Sequence, residues 1–316
     1  MKNFYINHDG NVDDFISLLL LLQMPDVKVI GVGVIDGDGY VDPSVAASRK
    51  IVDVFGGKQK GVTVARSDSR AVHQFPREWR LSAFTFNDLP ILNEKRTIDT
   101  PLADKPAHLD LIEKVTNSET KVSLVMTGPL TDLARALEIK PEIADNIECL
   151  YWMGGALNEE GNVHEPEQDG TAEWNAYWDP EAVKTVWDSP IKIVLVALDS
   201  TNQVPLTQEL RWRWASQRKF PAMDLLGQGY SLVHSFEANS IYYLWDVLTT
   251  LVSNYPDLVE SEVVKTSVLS TGLGAGRTYR DDENGRPVTF VTNVNSEAFF
   301  DKIDELGQSA PYREIK

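Results

Sequence analysis

The chain of 316 residues has few of the residues that disulfide-rich and polyanion-binding proteins need. It has one cysteine, Cys149, which excludes a disulfide framework within the chain and favours a reducing compartment. It has 30 Lys and Arg residues and 47 Asp and Glu residues, which gives a net charge of −17, and no segment forms a basic stripe. Because nucleic-acid polymers and anionic membranes attract clustered positive charge, we predict that neither is a partner.

Long hydrophobic runs are also missing. The apolar stretch Phe15–Leu22 is far too short to cross about 30 Å of hydrocarbon. Asp9 comes so early in the sequence that no apolar signal segment could precede it, so we predict no signal peptide and a cytoplasmic location. Hydrophobic residues make up 42% of the chain, enough for a large core, and no Pro, Gly or Ser-rich linker divides it. We therefore predict a single domain over residues 1–316.

Strand-like and helix-like segments alternate through the first two thirds of the chain. Apolar strands such as Val27–Ile35 need cover on both faces, which predicts an α/β domain with a mainly parallel central sheet flanked by helices. The other predicted strands are Phe4–Asn7, Gly61–Ala65, Lys121–Met126, Ile147–Met153, Ile191–Leu198, Val263–Leu269 and Val288–Thr292. The predicted helices are Asp13–Gln23, Asp42–Phe55, Leu109–Val115, Leu130–Ile139, one from Pro180, Leu206–Ser216, Pro221–Ser235, Tyr242–Ser253 and Glu297–Leu306.

Several predicted strands run directly into acidic or polar residues. In an open α/β sheet, ligands bind outside the carboxyl ends of the strands. We therefore expect the active site at this edge, lined by oxygen ligands that follow separate strands: Asp9, Asp38, Thr127 and Asp199.

The segment Asn7–Asp14 places three carboxylates, Asp9, Asp13 and Asp14, directly after the first strand. Carboxylates this close repel one another, and a hard cation such as Ca²⁺ relieves that repulsion. A second interpretation is that Asp13 and Asp14 only favour the dipole at the start of a helix. That interpretation leaves Asp9 unexplained, so the cation site and the helix dipole both remain open at this point.

Three similar-looking motifs fail on single residues. An EF-hand loop starting at Asp9 would need Gly where Asp14 stands and Glu where Leu20 stands. An aspartyl-phosphate enzyme would need a carboxylate where the chain has Asn7. A dinucleotide-binding glycine motif from Gly31 would need a third glycine where the chain has Asp36.

The acidic turn resembles the amino-terminal signature of the inosine-uridine nucleoside hydrolase family, written D-x-D-x-x-x-D-D. Further segments are similar to that family in order along almost the whole chain: Val125–Leu130, Met153–Gly155, Gly161–Val163, Thr171–Asn175 and Trp245–Asp246. Three segments are similar to its purine-preferring branch more specifically: Phe75–Arg80, Thr171–Pro180 and Tyr242–Asp246.

The resemblance implies Ca²⁺-dependent hydrolysis of the N-glycosidic bond of inosine, adenosine or guanosine to free base and ribose. It implies that Ca²⁺ is held by the carboxylates of Asp9, Asp14 and Asp246 and by the main-chain carbonyl of Thr127. Oxygen ligands of this kind suit Ca²⁺ better than Zn²⁺. In the implied mechanism, Asp9 is the general base for the water that attacks the ribose, and the ion orients the sugar.

The resemblance also implies which residues bind the nucleoside, and a role for the enzyme in purine salvage as a homodimer or homotetramer. Trp79 and Trp245 would stack on the purine, although core packing is the alternative for each, and for Tyr242 packing and base contact are equally open. Asp38 would lie near the base. The implied ribose contacts are Asp13, Met153, Asn162, Glu173 and Asn175.

Two residues depart from the family pattern. Asn7 replaces the first Asp of the signature, and Glu237 stands where purine-preferring relatives can carry an Arg. Two other functions stay open: hydrolysis of pyrimidine or other ribosides, and a catalytically silent protein that binds Ca²⁺ and nucleoside.

Overall fold

A computed structural model describes residues 1–57, 59–158, 160–233 and 241–311. Within these residues the strands form one sheet, and their buried segments are rich in Val, Ile and Leu, as expected for strands covered on both faces. The strands are β1 Lys2–His8, β2 Val27–Val34, β3 Val64–Arg66, β4 Val122–Met126, β5 Ile147–Met153, β6 Ile193–Val196, β7 Val259–Val268, β8 Thr278–Arg280 and β9 Arg286–Val294.

The helices of the described residues alternate with the strands up to β6 and cluster together before β7. They are α1 Val12–Leu21, α2 Val41–Phe55, α3 Ser82–Asn87, α4 Ala107–Thr116, α5 Thr131–Ile139, α6 Trp174–Trp178, α7 Pro180–Trp187, α8 Leu198–Thr201, α9 Gln208–Ala215, α10 Pro221–Ser231, α11 Trp245–Val252 and α12 Ser296–Ser309. Short 3-10 helices cover Trp79–Leu81, Pro90–Leu92, Pro141–Asn146 and Pro256–Leu258. No helix in these residues is both long and apolar enough to cross a membrane.

The sheet has nine strands in the order β3-β2-β1-β4-β5-β6-β9-β7-β8. Neighbouring strands are parallel from β3 through to β9, and only β7 runs antiparallel to its neighbours β9 and β8. Successive side chains of β1 serve different faces of the sheet, because Phe4 and Ile6 belong to one apolar cluster and Tyr5 to another. The predicted α/β class with a mainly parallel central sheet is confirmed.

Several predicted boundaries were wrong. The helix predicted from Tyr242 begins at Trp245, because Tyr243 forms a β-bridge with Pro205. The helix predicted over Pro221–Ser235 ends at Ser231, and its last two predicted residues lie outside the described residues. The buried helix α6 and the strand β8 were not predicted, since elements of five and three residues are too short to show a hydrophobic period.

Candidate active site

The candidate site lies at the carboxyl ends of three adjacent strands. β1 is hydrogen-bonded to β2 on one side and to β4 on the other. Asp9 follows β1, Asp38 follows β2 and Thr127 follows β4. The predicted placement of polar residues at this edge is therefore found, because parallel strands all end on the same side of the sheet.

Asp9 is buried, with 3% of its surface exposed, in a slot between two other loops. Its Oδ2 accepts a hydrogen bond from the main-chain N–H of Asp38 at 3.0 Å. A Cβ atom at Gly37 would lie 2.4 Å from that Oδ2, and one at Gly128 would lie 2.7 Å from the Asp9 Cβ. The Asp9 carboxylate is accommodated only because neither loop carries a side chain at these positions.

Asp14 joins the start of α1 to the end of β4. Its Oδ2 accepts from the main-chain N–H of Asn11 at 2.9 Å, completing a capping box in which Asn11 is the N-cap of α1. Its Oδ1 accepts from the Thr127 hydroxyl at 2.6 Å, and its carboxyl lies close enough to Asp9 to raise the pKa of Asp9. Asp14 therefore caps the helix and belongs to the acidic site at the same time.

Asp13 brings the last third of the chain to the site. It is fully buried, and its carboxylate accepts from the Tyr230 hydroxyl and from the main-chain N–H of Asp246 at 2.6 Å. Asp246 is in the first turn of α11, which packs against α1. An acid at the start of a helix stabilises it through the free N–H groups there. Asp13 thus fixes Asp246 next to the acidic turn.

Asp38 is held from two sides. Asn11 Nδ2 donates to its carboxylate, and the loop that carries it is tied to Arg80. Arg80 is buried, and its Nε donates to the Gly37 carbonyl at 2.9 Å while Nη2 donates to Asp36 Oδ1 at 2.7 Å. Through Arg80, the segment that contains the predicted base contact Trp79 is attached to the loop that contains Asp38.

The aromatic residues predicted for the base occupy two separate clusters. Trp79 is half-buried against Phe75 and Trp174, with ring centroids 6.5 and 5.6 Å away. Trp245 is half-buried next to Tyr242, at 4.5 Å between centroids, and packs on the cluster that contains Met153. Each tryptophan packs on one side and keeps part of its surface exposed.

The Tyr242 hydroxyl and the Trp245 indole nitrogen are buried and find no hydrogen-bond partner among the described residues. Buried polar groups of this kind normally have a partner in a protein or in its ligand. The polar ends of these two rings therefore lack the partner that buried polar groups usually have in the described part of the chain.

The segment 171–175 folds over the end of β5. The Asn175 amide donates to the Thr127 carbonyl at 3.2 Å and to the Met153 carbonyl at 3.1 Å. Glu173 is the N-cap of α6, and its carboxylate accepts from the main-chain N–H groups of Gly155, Asn175 and Ala176. Asn162 accepts from the main-chain N–H of Trp174 at 3.0 Å. Four of the predicted ribose contacts, Met153, Asn162, Glu173 and Asn175, are therefore linked by these hydrogen bonds, whereas the fifth, Asp13, contacts Tyr230 and Asp246.

The buried carboxylates disfavour one another's charge. Burial is the main cause that raises the pKa of Asp9 and of Asp246 well above the usual range, and neighbouring carboxylates raise both further. Burial also raises the pKa of Asp13 and of Asp38 to about 7, against the lowering effect of their hydrogen-bond donors. Burial raises the pKa of Glu173 to about 7 as well. A cation close to this group of acids would lower their pKa values.

The donor set fits a hard cation, although its side chains are not yet arranged as a complete metal sphere. Asp9, Asp14 and Asp246 are all buried, and Asp9 and Asp14 are close enough to raise the pKa of Asp246. Asp14 also accepts from the Thr127 hydroxyl at 2.6 Å, and this group of residues offers oxygen ligands only. Among the described residues, no three His, Cys, Asp or Glu side chains are positioned together to hold a metal ion. Binding of Ca²⁺ would therefore require these side chains to rearrange.

Sequence reasoning missed three side chains that shape the site: Asn11, Arg80 and Tyr230. Asn11 lies inside the acidic turn, and Arg80 inside the segment Phe75–Arg80 that carried part of the resemblance, so both had a signal. Tyr230 had none, because its contact with Asp13 joins residues 217 positions apart. Glu237 lies outside the described residues.

Cys149 lies on β5 as predicted, but it is half-buried instead of buried. Its burial raises the pKa of its thiol to about 11. The thiolate, which is the nucleophilic form, is therefore scarce at neutral pH.

Buried acids and aromatic rings at the strand ends of an open, mainly parallel sheet are the arrangement that the sequence resemblance implies for a nucleoside hydrolase. Residues 4–301 match the family model described as inosine-uridine preferring nucleoside hydrolase, and the chain belongs to that family. The resemblance predicted from the sequence is thereby confirmed.

Solved structures and a curated relative agree with this assignment. An inosine-uridine preferring nucleoside hydrolase from Bacillus anthracis is 50% identical, with a TM-score of 0.93 over 98% of this chain and 99% of that one. A purine-preferring ribonucleoside hydrolase from Gardnerella vaginalis is 25% identical, with a TM-score of 0.81 over 98% of this chain and 100% of that one. An inosine-uridine preferring nucleoside hydrolase from Leishmania major is 24% identical over 96% of this chain and 95% of its own length.

Proposed function

We propose that this nucleoside hydrolase uses Ca²⁺ to cleave the N-glycosidic bond of purine ribonucleosides to free base and ribose. The observation that carries the proposal is the group of buried, mutually repelling carboxylates Asp9, Asp13, Asp14 and Asp246 at the carboxyl end of the sheet. Buried carboxylates without a counter-charge cost several kcal/mol each, which a divalent cation would offset. We expect this chemistry in a cytoplasmic homodimer or homotetramer that acts in purine salvage.

The residues that would hold Ca²⁺ are Asp9, Asp14 and Asp246, through their side chains, and Thr127 through its main-chain carbonyl. When bound, the ion would lower the pKa of a water molecule and orient the ribose hydroxyls. Two contacts support this assignment. The Asn175 amide fixes the Thr127 carbonyl, and Asp13 fixes the first turn of α11, which contains Asp246.

Asp9 is the proposed general base. It lies at the centre of the acidic group, and the main-chain N–H of Asp38 orients its Oδ2 at 3.0 Å. In the proposed reaction, Asp9 accepts a proton from the attacking water while the bond between the anomeric carbon and the base nitrogen breaks. The electrons of that bond leave with the base, which is protonated by solvent. Asn162 and Asn175 would hydrogen-bond the ribose hydroxyls, with Asp13, Met153 and Glu173 beside them.

Purine preference is supported by the two half-buried tryptophans, Trp79 and Trp245. Aromatic faces stack well on a purine, and stacking on a flat base is worth about 1–3 kcal/mol. The unpartnered Tyr242 hydroxyl and Trp245 indole nitrogen are available to the polar groups of a base. Asp38, held by Asn11, supplies a further polar group at the carboxyl end of β2.

Hydrolysis of uridine is the second candidate, because the 50% identical structure from Bacillus anthracis carries uridine as well as inosine in its name. Both candidates are tested by one substrate panel of inosine, adenosine, guanosine and uridine with added Ca²⁺. We expect a kcat/KM for inosine above that for uridine. A ratio below one would favour the pyrimidine alternative, and binding of nucleoside without release of base would favour the silent binding protein.

The role of Asp9 is tested by Asp9→Asn, which keeps a polar side chain of the same size. Loss of a general base lowers kcat by about 10²–10⁴-fold, and we expect a loss in this range. The control is Asp304→Asn in α12, a buried carboxylate away from the strand ends that accepts from Arg213 Nε at 2.7 Å and from the Gln217 amide at 2.6 Å. If both variants kept wild-type kcat, Asp9 would not be the base.

A further inference from the structure

A buried pair outside the proposed metal ligands joins Asn7 on β1 to Asp132 on α5. The Asn7 Nδ2 donates to Asp132 Oδ2 at 3.0 Å. Asp132 is fully buried, and Asn7 is 1% exposed. The Asn7 Oδ1 finds no partner among the described residues, so the contact with Asp132 alone sets the orientation of this amide.

Asp132 also accepts hydrogen bonds from the loop that follows β3. Its Oδ1 accepts from the Ser67 hydroxyl at 2.7 Å and from the Ser69 hydroxyl at 2.8 Å. Each oxygen of the carboxylate therefore has its own donors: the two serines on Oδ1 and the amide of Asn7 on Oδ2. One side chain connects the ends of β1 and β3 with the start of α5.

The Asn7–Asp132 pair also determines the position of Thr127, whose main-chain carbonyl is a proposed calcium ligand. The main-chain N–H of Thr127 donates to the carbonyl of Asn7 at 3.0 Å. Five residues further on, Asp132 accepts from the side chain of Asn7. Asn7 therefore holds both ends of the segment 127–132, and this closed arrangement, together with the Asn175 amide, fixes where the Thr127 carbonyl points.

We propose that Asp132 is a positioning residue that places the Thr127 carbonyl for Ca²⁺ through its contact with Asn7. This inference rests on the proposed calcium site. Asn7 replaces the first Asp of the family signature, and the carboxylate of the pair is here on α5 instead of β1. The arrangement needs one amide and one carboxylate, and either strand or helix can supply either group.

The polarity of the pair predicts what each exchange does. In Asp132→Ala, the Nδ2 of Asn7 and the hydroxyls of Ser67 and Ser69 lose their shared acceptor. In Asn7→Asp, two buried carboxylate oxygens meet. When Asn7→Asp is combined with Asp132→Asn, the amide introduced on α5 can donate to the carboxylate introduced on β1, and every hydrogen bond of the original pair has a counterpart.

The test measures Ca²⁺ affinity by isothermal titration with calcium alone, without nucleoside. Loss of an orienting contact behind a metal ligand weakens metal affinity by about 10–100-fold, and we expect this for each single variant. We expect the double variant N7D/D132N to recover to within about threefold of wild type, because coupled residues are not additive. Melting temperatures of the four proteins should show the same recovery.

The matched control is Asp110→Asn, which alters another buried carboxylate of this core. Asp110 accepts from the Tyr5 hydroxyl at 3.1 Å and has no bond to the segment 127–132. We expect it to lower the melting temperature and leave calcium affinity unchanged. If Asp132→Ala fails to fold, Ser67→Ala removes one donor to the carboxylate, and we expect a smaller loss of affinity.

Two results would overturn the inference while leaving the calcium site standing: wild-type affinity in Asp132→Ala, or a double variant N7D/D132N no better than Asn7→Asp alone. If the wild-type protein binds no calcium, the calcium site itself is wrong and the inference fails with it.

Discussion

The buried guanidinium of Arg80 gives a direct test of how the loop that contains Asp38 is held. Arg80→Met keeps most of the apolar stem and removes the planar group. Three contacts are lost: the bond to the Gly37 carbonyl at 2.9 Å, the ion pair with Asp36 at 2.7 Å, and the stacking on the Tyr40 ring at 4.2 Å. We expect the variant to be less stable and to bind inosine more weakly.

The size of the effect follows from the exposure of each partner. The charged bond to the buried Gly37 carbonyl contributes about 1.5–3 kcal/mol. The Asp36 side chain is 35% exposed, so its ion pair adds at most about 1 kcal/mol. The cation over Tyr40 adds about 0.5–1 kcal/mol. The contacts share one side chain and are not additive, and we expect a total loss of about 3 kcal/mol.

The assay is thermal unfolding together with the KM for inosine. With an unfolding entropy of about 2.1 cal/mol/K per residue, a chain of 316 residues loses about 1.5 °C per kcal/mol, so we expect a fall of about 4–5 °C. The control Arg66→Met removes the exposed pair with Asp42, and we expect a change below about 1.5 °C. A fall in Arg80→Met no larger than in this control would refute the reasoning.

Removal of calcium with EGTA should abolish base release from inosine, and added Ca²⁺ should restore it; Asp246→Asn should need at least about tenfold more Ca²⁺ for half-maximal activity. Full activity in EGTA would contradict the metal assignment. Trp245→Ala should lower the ratio of kcat/KM for inosine over uridine, and an unchanged ratio would remove it from the base site. With a thiol pKa of about 11, Cys149 should be thiolate in about one molecule per thousand at pH 8, so Ellman's reagent should react far more slowly with native than with unfolded protein.

The order of the strands and of the longer helices up to β6 could be predicted, because continuous apolar runs and helical periods are local properties of the sequence, whereas the short helices α3 and α6 were missed. The residues after each strand could also be assigned to one edge, since parallel strands end on the same side. The last third was predicted less well. Its helices have their ends set by contacts elsewhere, as when the bridge between Pro205 and Tyr243 delays the start of α11.

The site could be predicted where the acids are adjacent in sequence and not where the contacts are distant. Asp9 and Asp14 lie in one turn, and the family signature names them. By contrast, the amide of Asn7 meets Asp132 across 125 positions, and no local pattern marks that contact. The calcium ligands, the base and the substrate contacts remain predictions.

The slot that holds Asp9 affects how mutational surveys of this protein should be interpreted. Gly37 and Gly128 have no reactive group, and they belong to loops that follow different strands. An alanine at either position would place a methyl group 2.4 Å from the Asp9 Oδ2 or 2.7 Å from its Cβ, so the carboxylate would have to move. Such variants would be folded and inactive, and a survey would group them with Asp9 itself. Gly37 and Gly128 would therefore tolerate substitution as poorly as Asp9 does, because a side chain at either position would occupy the space of the Asp9 carboxylate, although neither glycine takes part in the chemistry.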